Sequence, residues 1–76
     1  MYKVTIQATP IAGIDWRVVT VGTWTPGQPP QLDQVLSNEV LEALFNITPS
    51  ATDKSGRNQI QHGDTLYAVV FRRLSR

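Results

Sequence analysis

The stretch that decides the fold lies near the end of the chain and reads Thr65-Leu66-Tyr67-Ala68-Val69-Val70-Phe71-Arg72-Arg73. β-Branched and aromatic residues favour strands. Successive side chains of a strand point to opposite faces. One face of this strand therefore carries Tyr67, Val69 and Phe71, and the other carries Leu66, Ala68 and Val70. Because both faces are apolar, the stretch predicts a central strand of a sheet.

Two more strands are predicted near the start of the chain. Residues 2–9 alternate apolar and polar side chains, which is typical of a half-buried strand. Residues 14–25 are rich in valine, threonine and tryptophan, and a turn at residues 10–13 joins the two strands as a hairpin. The prolines of residues 26–30 end the second strand, because proline lacks the N–H that a ladder needs. Simple alternation places Ile14, Trp16, Val18 and Trp24 on one face, and Val19 and Val21 on the other.

One helix is predicted over residues 31–47, where Leu32, Leu36, Val40 and Leu44 recur at helical spacing. Alternatively, the Ser37–Asn38 pair caps a shorter helix that begins there, with a separate turn before it. Residues 48–64 are polar and rich in turn formers, so they predict a long loop before the last strand. A short extra hairpin around residues 53–56 is the alternative for that segment.

The predicted order is β-β-α-β, an α+β fold with a small mixed sheet and one helix packed on one face. If the last strand lies beside the first, the two run parallel. The opening hairpin of residues 2–24 and the closing strand of residues 65–74 resemble a reduced β-grasp domain, the arrangement of ubiquitin-like proteins. The chain ends in Leu74, Ser75 and Arg76 instead of the paired glycines that conjugation requires, so the resemblance implies a fold and no modifier role.

Composition limits the classes of protein to consider. With 76 residues, the chain predicts one small domain over residues 1–76. It has no cysteine, which excludes disulfides and cysteine-based zinc sites and fits a reducing compartment. Residues 1–6 alternate instead of forming the apolar core of a signal peptide, and the longest apolar run, residues 66–71, is too short to cross a bilayer. We therefore expect a cytoplasmic protein that has no membrane partner.

No catalytic or cofactor motif is present in the sequence. His62 is the only histidine, and Ser50, Asp53, Ser55 and Asp64 lie near it along the chain. These are ordinary loop residues, and a catalytic set needs a rigid scaffold to hold it. The sequence also lacks the paired ligands of a metal site and the glycine-rich loop of a phosphate site. We expect no enzyme activity, no cofactor and no metal.

The leading hypothesis is an interaction module. One helix can cover only one face of a sheet that is apolar on both, and monomers rarely expose large apolar patches. A homodimer is the simplest way to cover the second face, and another protein is the other partner considered. In size and style the chain is similar to accessory proteins of bacteria and phages. The interface candidates are Trp16, Val19, Val21, Trp24, Tyr67 and Phe71.

Nucleic-acid binding is the alternative hypothesis. If the long loop folds near the C-terminus, basic side chains could form a patch for phosphates. Two observations disfavour such a patch. The formal net charge is only +1, and Arg72 and Arg73 point to opposite faces if the strand continues that far. The residues of this alternative patch are Lys54, Arg57, Arg72, Arg73 and Arg76.

Overall fold

A computed structural model describes residues 1–50, 52 and 54–74. Its elements are β1 (Tyr2–Pro10), β2 (Arg17–Trp24), β3 (Gln31–Leu32), α1 (Asn38–Leu44), β4 (Ser55–His62) and β5 (Thr65–Arg73). The strands form one sheet in the order β3-β2-β1-β5-β4, and every pairing in it is antiparallel. One sheet with one short helix confirms the α+β class. No helix among the described residues is long and apolar enough to span a membrane.

The strand order after the helix differs from the prediction. The second half of the predicted 48–64 loop contains the strand β4, which pairs with β5 along its whole length through a turn at Gly63, whose φ is +62°. With two strands after the helix instead of one, β5 runs antiparallel to β1, so the predicted mixed sheet and its parallel pairing are wrong. The resemblance to a β-grasp domain, which was based on the opening hairpin, the closing strand and the β-β-α-β order, does not extend to this topology.

Helix α1 is shorter than the predicted helix and matches the capped alternative. Ser37 is its N-cap, with the side-chain oxygen accepting a 3.4 Å hydrogen bond from the N–H of Val40. The residues before it are held along the edge of β2 instead. Gln31 and Leu32 pair with β2 as β3, and the N–H of Gln34 donates to the hydroxyl of Thr20 at 2.9 Å. The apolar residues that predict one helix over residues 31–47 therefore belong partly to β3 and partly to α1.

An irregularity in β2 changes which of its side chains share a face. Ile6 and Gln7 are consecutive in β1, yet their partners are Thr20 and Val18, so Val19 is an extra residue. Such a bulge interrupts the alternation of side chains. Trp24 lies opposite Tyr2 on the helix side, and Val18 lies opposite Gln7 on the other side. The prediction that Trp24 and Val18 share a face is therefore wrong.

The core fills the space between α1 and the face of the sheet that α1 covers. Tyr2, Trp24 and Phe71 form an aromatic cluster with ring centroids 5.3–5.8 Å apart. Burial of these large rings stabilises so small a fold. The whole hydrophobic core has these buried residues: Tyr2, Val4, Ile6, Trp24, Val40, Leu44, Val69 and Phe71.

Candidate binding surface on the open sheet face

The face of the sheet opposite α1 carries no helix among the described residues, and we call it the outer face. Directly paired residues of neighbouring strands place their side chains on the same face, so the registers map it in rows. One row is Thr23, Lys3, Arg72 and Ser55; the next is Val21, Thr5, Val70 and Arg57; the third is Val18, Gln7, Ala68 and Gln59; the last is Thr9, Leu66 and Gln61.

Three basic side chains lie together at one end of this face. Lys3 and Arg72 are directly opposite each other on β1 and β5. Arg57 is two residues along β4 from Ser55, the partner of Arg72, so it is the diagonal neighbour of Arg72. All three side chains are exposed. We call Lys3, Arg57 and Arg72 the basic cluster.

None of the residues in the four rows is acidic, so within the described part of the chain no carboxylate on this face neutralises the basic cluster. The described carboxylates lie elsewhere. Glu39 and Glu42 belong to α1, which is on the opposite side of the sheet. The aspartates lie in the connections between strands or beside β3: Asp15, Asp33 and Asp64. The basic cluster therefore has no acidic neighbour among the paired residues of the outer face.

Trp16 crosses part of the outer face. Its ring centroid lies 5.8 Å from the guanidinium carbon of Arg57. Trp16 directly precedes β2, while Arg57 is on β4, and β1 and β5 lie between these strands. Three strand spacings are about 14 Å, so the two side chains meet above the intervening strands. An arginine over a tryptophan face is a favourable cation–π arrangement.

Apolar side chains are also exposed on or beside the outer face. Val70 is 40% exposed and Val18 is 56% exposed. Val19, at the bulge, is 36% exposed, and Val21 and Leu66 are partly buried. The outer face thus combines a basic end with a surface of valines and glutamines.

The structure separates the predicted interface residues into three groups. Trp24 and Phe71 are 3% and 5% exposed in the core, so they are not available to a partner. Tyr67 lies opposite Ala8 and is partly buried on the helix side. Trp16 and Val21 remain on the outer face. Val19 is also exposed, at the bulge itself.

The predicted basic patch is likewise divided. Arg57 and Arg72 share the outer face, whereas Arg73 lies on the other face, over the ring of Tyr2 at 5.9 Å. Lys54 precedes β4, and its carbonyl accepts a hydrogen bond from the N–H of Arg73. Arg76 lies outside the described residues. Lys3 was missed, although its outward position in β1 was visible in the sequence, because only the β1–β5 register places it opposite Arg72.

Ser55 and His62, the two residues weighed for catalysis that lie in β4, do not come together. Ser55 and His62 are at opposite ends of β4, about 23 Å apart at the usual rise per residue. His62 lies beside Glu39, with Nδ1 and Oε2 separated by 3.9 Å at the surface. Asp53 lies outside the described residues. Among the described part of the chain, no cluster of three potential metal ligands occurs.

In comparisons with known proteins, no family model matches the chain, and no curated protein or solved structure matches it significantly.

Proposed function

We propose that this protein binds single-stranded nucleic acid on its outer face. The observation that carries the proposal is the basic cluster, in which Lys3 and Arg72 are directly opposite and Arg57 is adjacent, while none of the described residues on this face is acidic. Like charges directly opposite each other in a sheet destabilise it. Violations of such local rules are typical of functional sites, and a polyanion would relieve this one.

A flat sheet suits a single strand better than a duplex. Proteins that read the grooves of double-stranded DNA insert a helix, a β-ribbon or an arm. Proteins that bind single strands instead combine a basic surface with side chains on which bases stack. Trp16, held beside Arg57, offers such a stacking surface, and the amides of Gln7 and Gln59 offer hydrogen bonds to bases or sugars.

Fluorescence anisotropy with a labelled single-stranded oligonucleotide tests the proposal. Replacing each member of the basic cluster in turn (Lys3→Gln, Arg57→Gln and Arg72→Gln) is expected to weaken binding. The matched control is Arg17→Gln, which removes the same charge from a residue opposite Ala8, on the helix side. Arg17→Gln is expected to leave the affinity nearly unchanged. Equal losses from all four variants, or no binding by the wild-type protein at low salt, would refute the proposal.

Trp16→Leu separates stacking from electrostatics. Loss of base stacking costs about 1–3 kcal/mol, so the variant should weaken binding without changing its salt dependence. A duplex of the same sequence should bind more weakly than the single strand. Preference for the duplex would contradict the assignment of single-stranded ligands.

Association through the outer face with another protein or a second copy is the second candidate function. The exposure of Val18, Val19 and Val70 favours it. A second copy placed face to face about a two-fold axis along the strands would bring two basic clusters together, and opposed like charges disfavour that arrangement. We therefore rank it second. Val70→Glu would abolish such an association, because it buries a carboxylate in an apolar contact.

A further inference from the structure

The two edges of the sheet differ in how well they are protected. At one edge β3 has only two residues, and Pro29 and Pro30 immediately precede it. Short strands and prolines are common ways in which proteins protect an edge from pairing. At the other edge β4 has eight residues, no proline and a continuous register with β5. Apart from His62, Arg57 is the only ionisable residue of β4, so few charges protect this edge.

The hydrogen-bond pattern shows which backbone groups of β4 are free of β5. The N–H of Arg73 donates to the carbonyl of Lys54 at 2.7 Å, so residues 54 and 73 form a hydrogen-bonded pair. In antiparallel sheets such pairs alternate with non-bonded ones. The even-numbered residues of β4 therefore bond to β5. The N–H and C=O groups of the odd-numbered ones point away from the sheet: Ser55, Arg57, Gln59 and Gln61.

We propose that two copies of this chain dimerise by antiparallel pairing of β4 with β4, which joins their sheets edge to edge. A two-fold axis at Asn58 places Ser55 opposite Gln61 and Arg57 opposite Gln59 of the other copy. This register uses all of the outward-pointing groups of β4. Shifting the axis by one residue leaves one of these residues in each copy without a β4 partner.

A second copy suits this edge for two reasons. In the register centred on Asn58, each outward-facing backbone pair exchanges two hydrogen bonds. The arrangement also avoids placing Arg57 opposite itself, which the axis at Arg57 would do.

The inference does not depend on nucleic-acid binding, and it can be tested without any ligand. Sedimentation velocity on the full chain across a dilution series should show a reversible monomer–dimer equilibrium. Gln59→Pro removes an outward-pointing N–H, which β5 does not use, and should yield a folded monomer. A monomer at every concentration, or a dimer unaffected by Gln59→Pro, would overturn the proposal.

Charge variants at Gln59 test the register of the β4–β4 pairing. They also test the dimer itself if the proline variant does not fold. Gln59→Glu places a carboxylate opposite Arg57 of the other copy, twice per dimer, and should tighten the dimer up to about tenfold. Gln59→Arg places like charges there and should weaken it by a similar factor. If both variants weaken the dimer, Gln59 faces itself and the register centred on Asn58 is wrong.

Hydrogen exchange gives an independent readout. As protein concentration rises, the amides of Arg57 and Gln59 should become protected, whereas those of Asn58 and Ile60 are already bonded to β5. Protection that does not change with concentration would contradict pairing at this edge.

Discussion

Two buried threonines illustrate how strongly the environment of one hydroxyl matters at the residue scale. Thr9 is 2% exposed, and its Oγ1 has no hydrogen-bond partner among the described residues. Thr20 is 4% exposed, and its Oγ1 accepts a hydrogen bond from the N–H of Gln34. A buried polar group without a partner destabilises a fold, while a paired one does not.

Thr→Val variants at these two sites should therefore have opposite effects. Thr9→Val removes an unpaired hydroxyl without changing the side-chain shape, and we expect the free energy of unfolding to rise by about 1 kcal/mol. Thr20→Val leaves the N–H of Gln34 without its acceptor, and we expect a loss of about 1–2 kcal/mol. Urea unfolding of both variants checks this. A loss at Thr9 as large as that at Thr20 would show that the Thr9 hydroxyl is paired.

The basic cluster predicts a conflict between stability and binding at Lys3. Removing one of two like charges that lie directly opposite should raise the free energy of unfolding by about 0.2–1 kcal/mol in Lys3→Gln, although the same variant binds nucleic acid more weakly. The gain should shrink at high salt, where exposed charges are screened. Urea unfolding at low and high salt measures it, with Arg17→Gln as the control. A gain that is independent of salt would exclude repulsion as its cause.

Asn58 connects the helix to the sheet at the scale of elements. Its side-chain Nδ2 donates to the carbonyl of Leu44 at 2.8 Å and to that of Ala43 at 3.2 Å. The carbonyls of the last helical turn have no partner within the helix, so a donor from β4 satisfies them. The amide of Asn58 thereby fixes the C-terminal end of α1 against the sheet.

Asn58→Ala is expected to lower the free energy of unfolding by about 1–2 kcal/mol through loss of these bonds. The nearly isosteric Asn58→Asp should cost at least as much at neutral pH, because it replaces the donor with an oxygen that faces two carbonyls. Thermal unfolding followed by circular dichroism measures both effects. The control is Gln59→Ala, which changes the next residue of the same strand on the outer face. A similar loss from Gln59→Ala would mean that strand propensity, and not the contact with α1, is responsible.

The elements differ in how well the sequence predicts them, for identifiable physical reasons. The strands β1 and β5 were predicted correctly, since alternation in β1 and the apolar run around Val69 are strong signals. β4 was missed because an edge strand needs few apolar residues, and Ile60 is its only large one. The predicted helix began too early because Leu32 and Leu36 happen to fit helical spacing, although Leu32 pairs with β2.

The candidate site was only partly predictable for a related reason. The placement of Val18 on the face opposite Trp24 depends on the bulge at Val19, which no local residue preference signals. The exposure of Arg57 and Arg72 on one face follows from the pairing of β4 with β5, whereas the sequence alone predicts a loop at Arg57. Register between distant strands thus determined which charged residues lie together.

At the scale of the whole molecule, the distribution of charge matters more than its sum. A formal net charge of +1 indicates no preference for polyanions. The sheet nevertheless places Lys3, Arg57 and Arg72 on one face, while the carboxylates of α1 lie on the opposite side. Such a local concentration of positive charge directs a polyanion to one surface of a nearly neutral protein.

The salt dependence of single-strand binding tests this account most directly. If the three cations of the basic cluster each contact a phosphate, the logarithm of the binding constant should fall against the logarithm of salt concentration with a slope of about −2. Arg72→Gln should make that slope shallower by about 0.7, whereas Arg17→Gln should leave it unchanged. A slope near zero for the wild-type protein, or equal slopes for wild type and Arg72→Gln, would contradict the account.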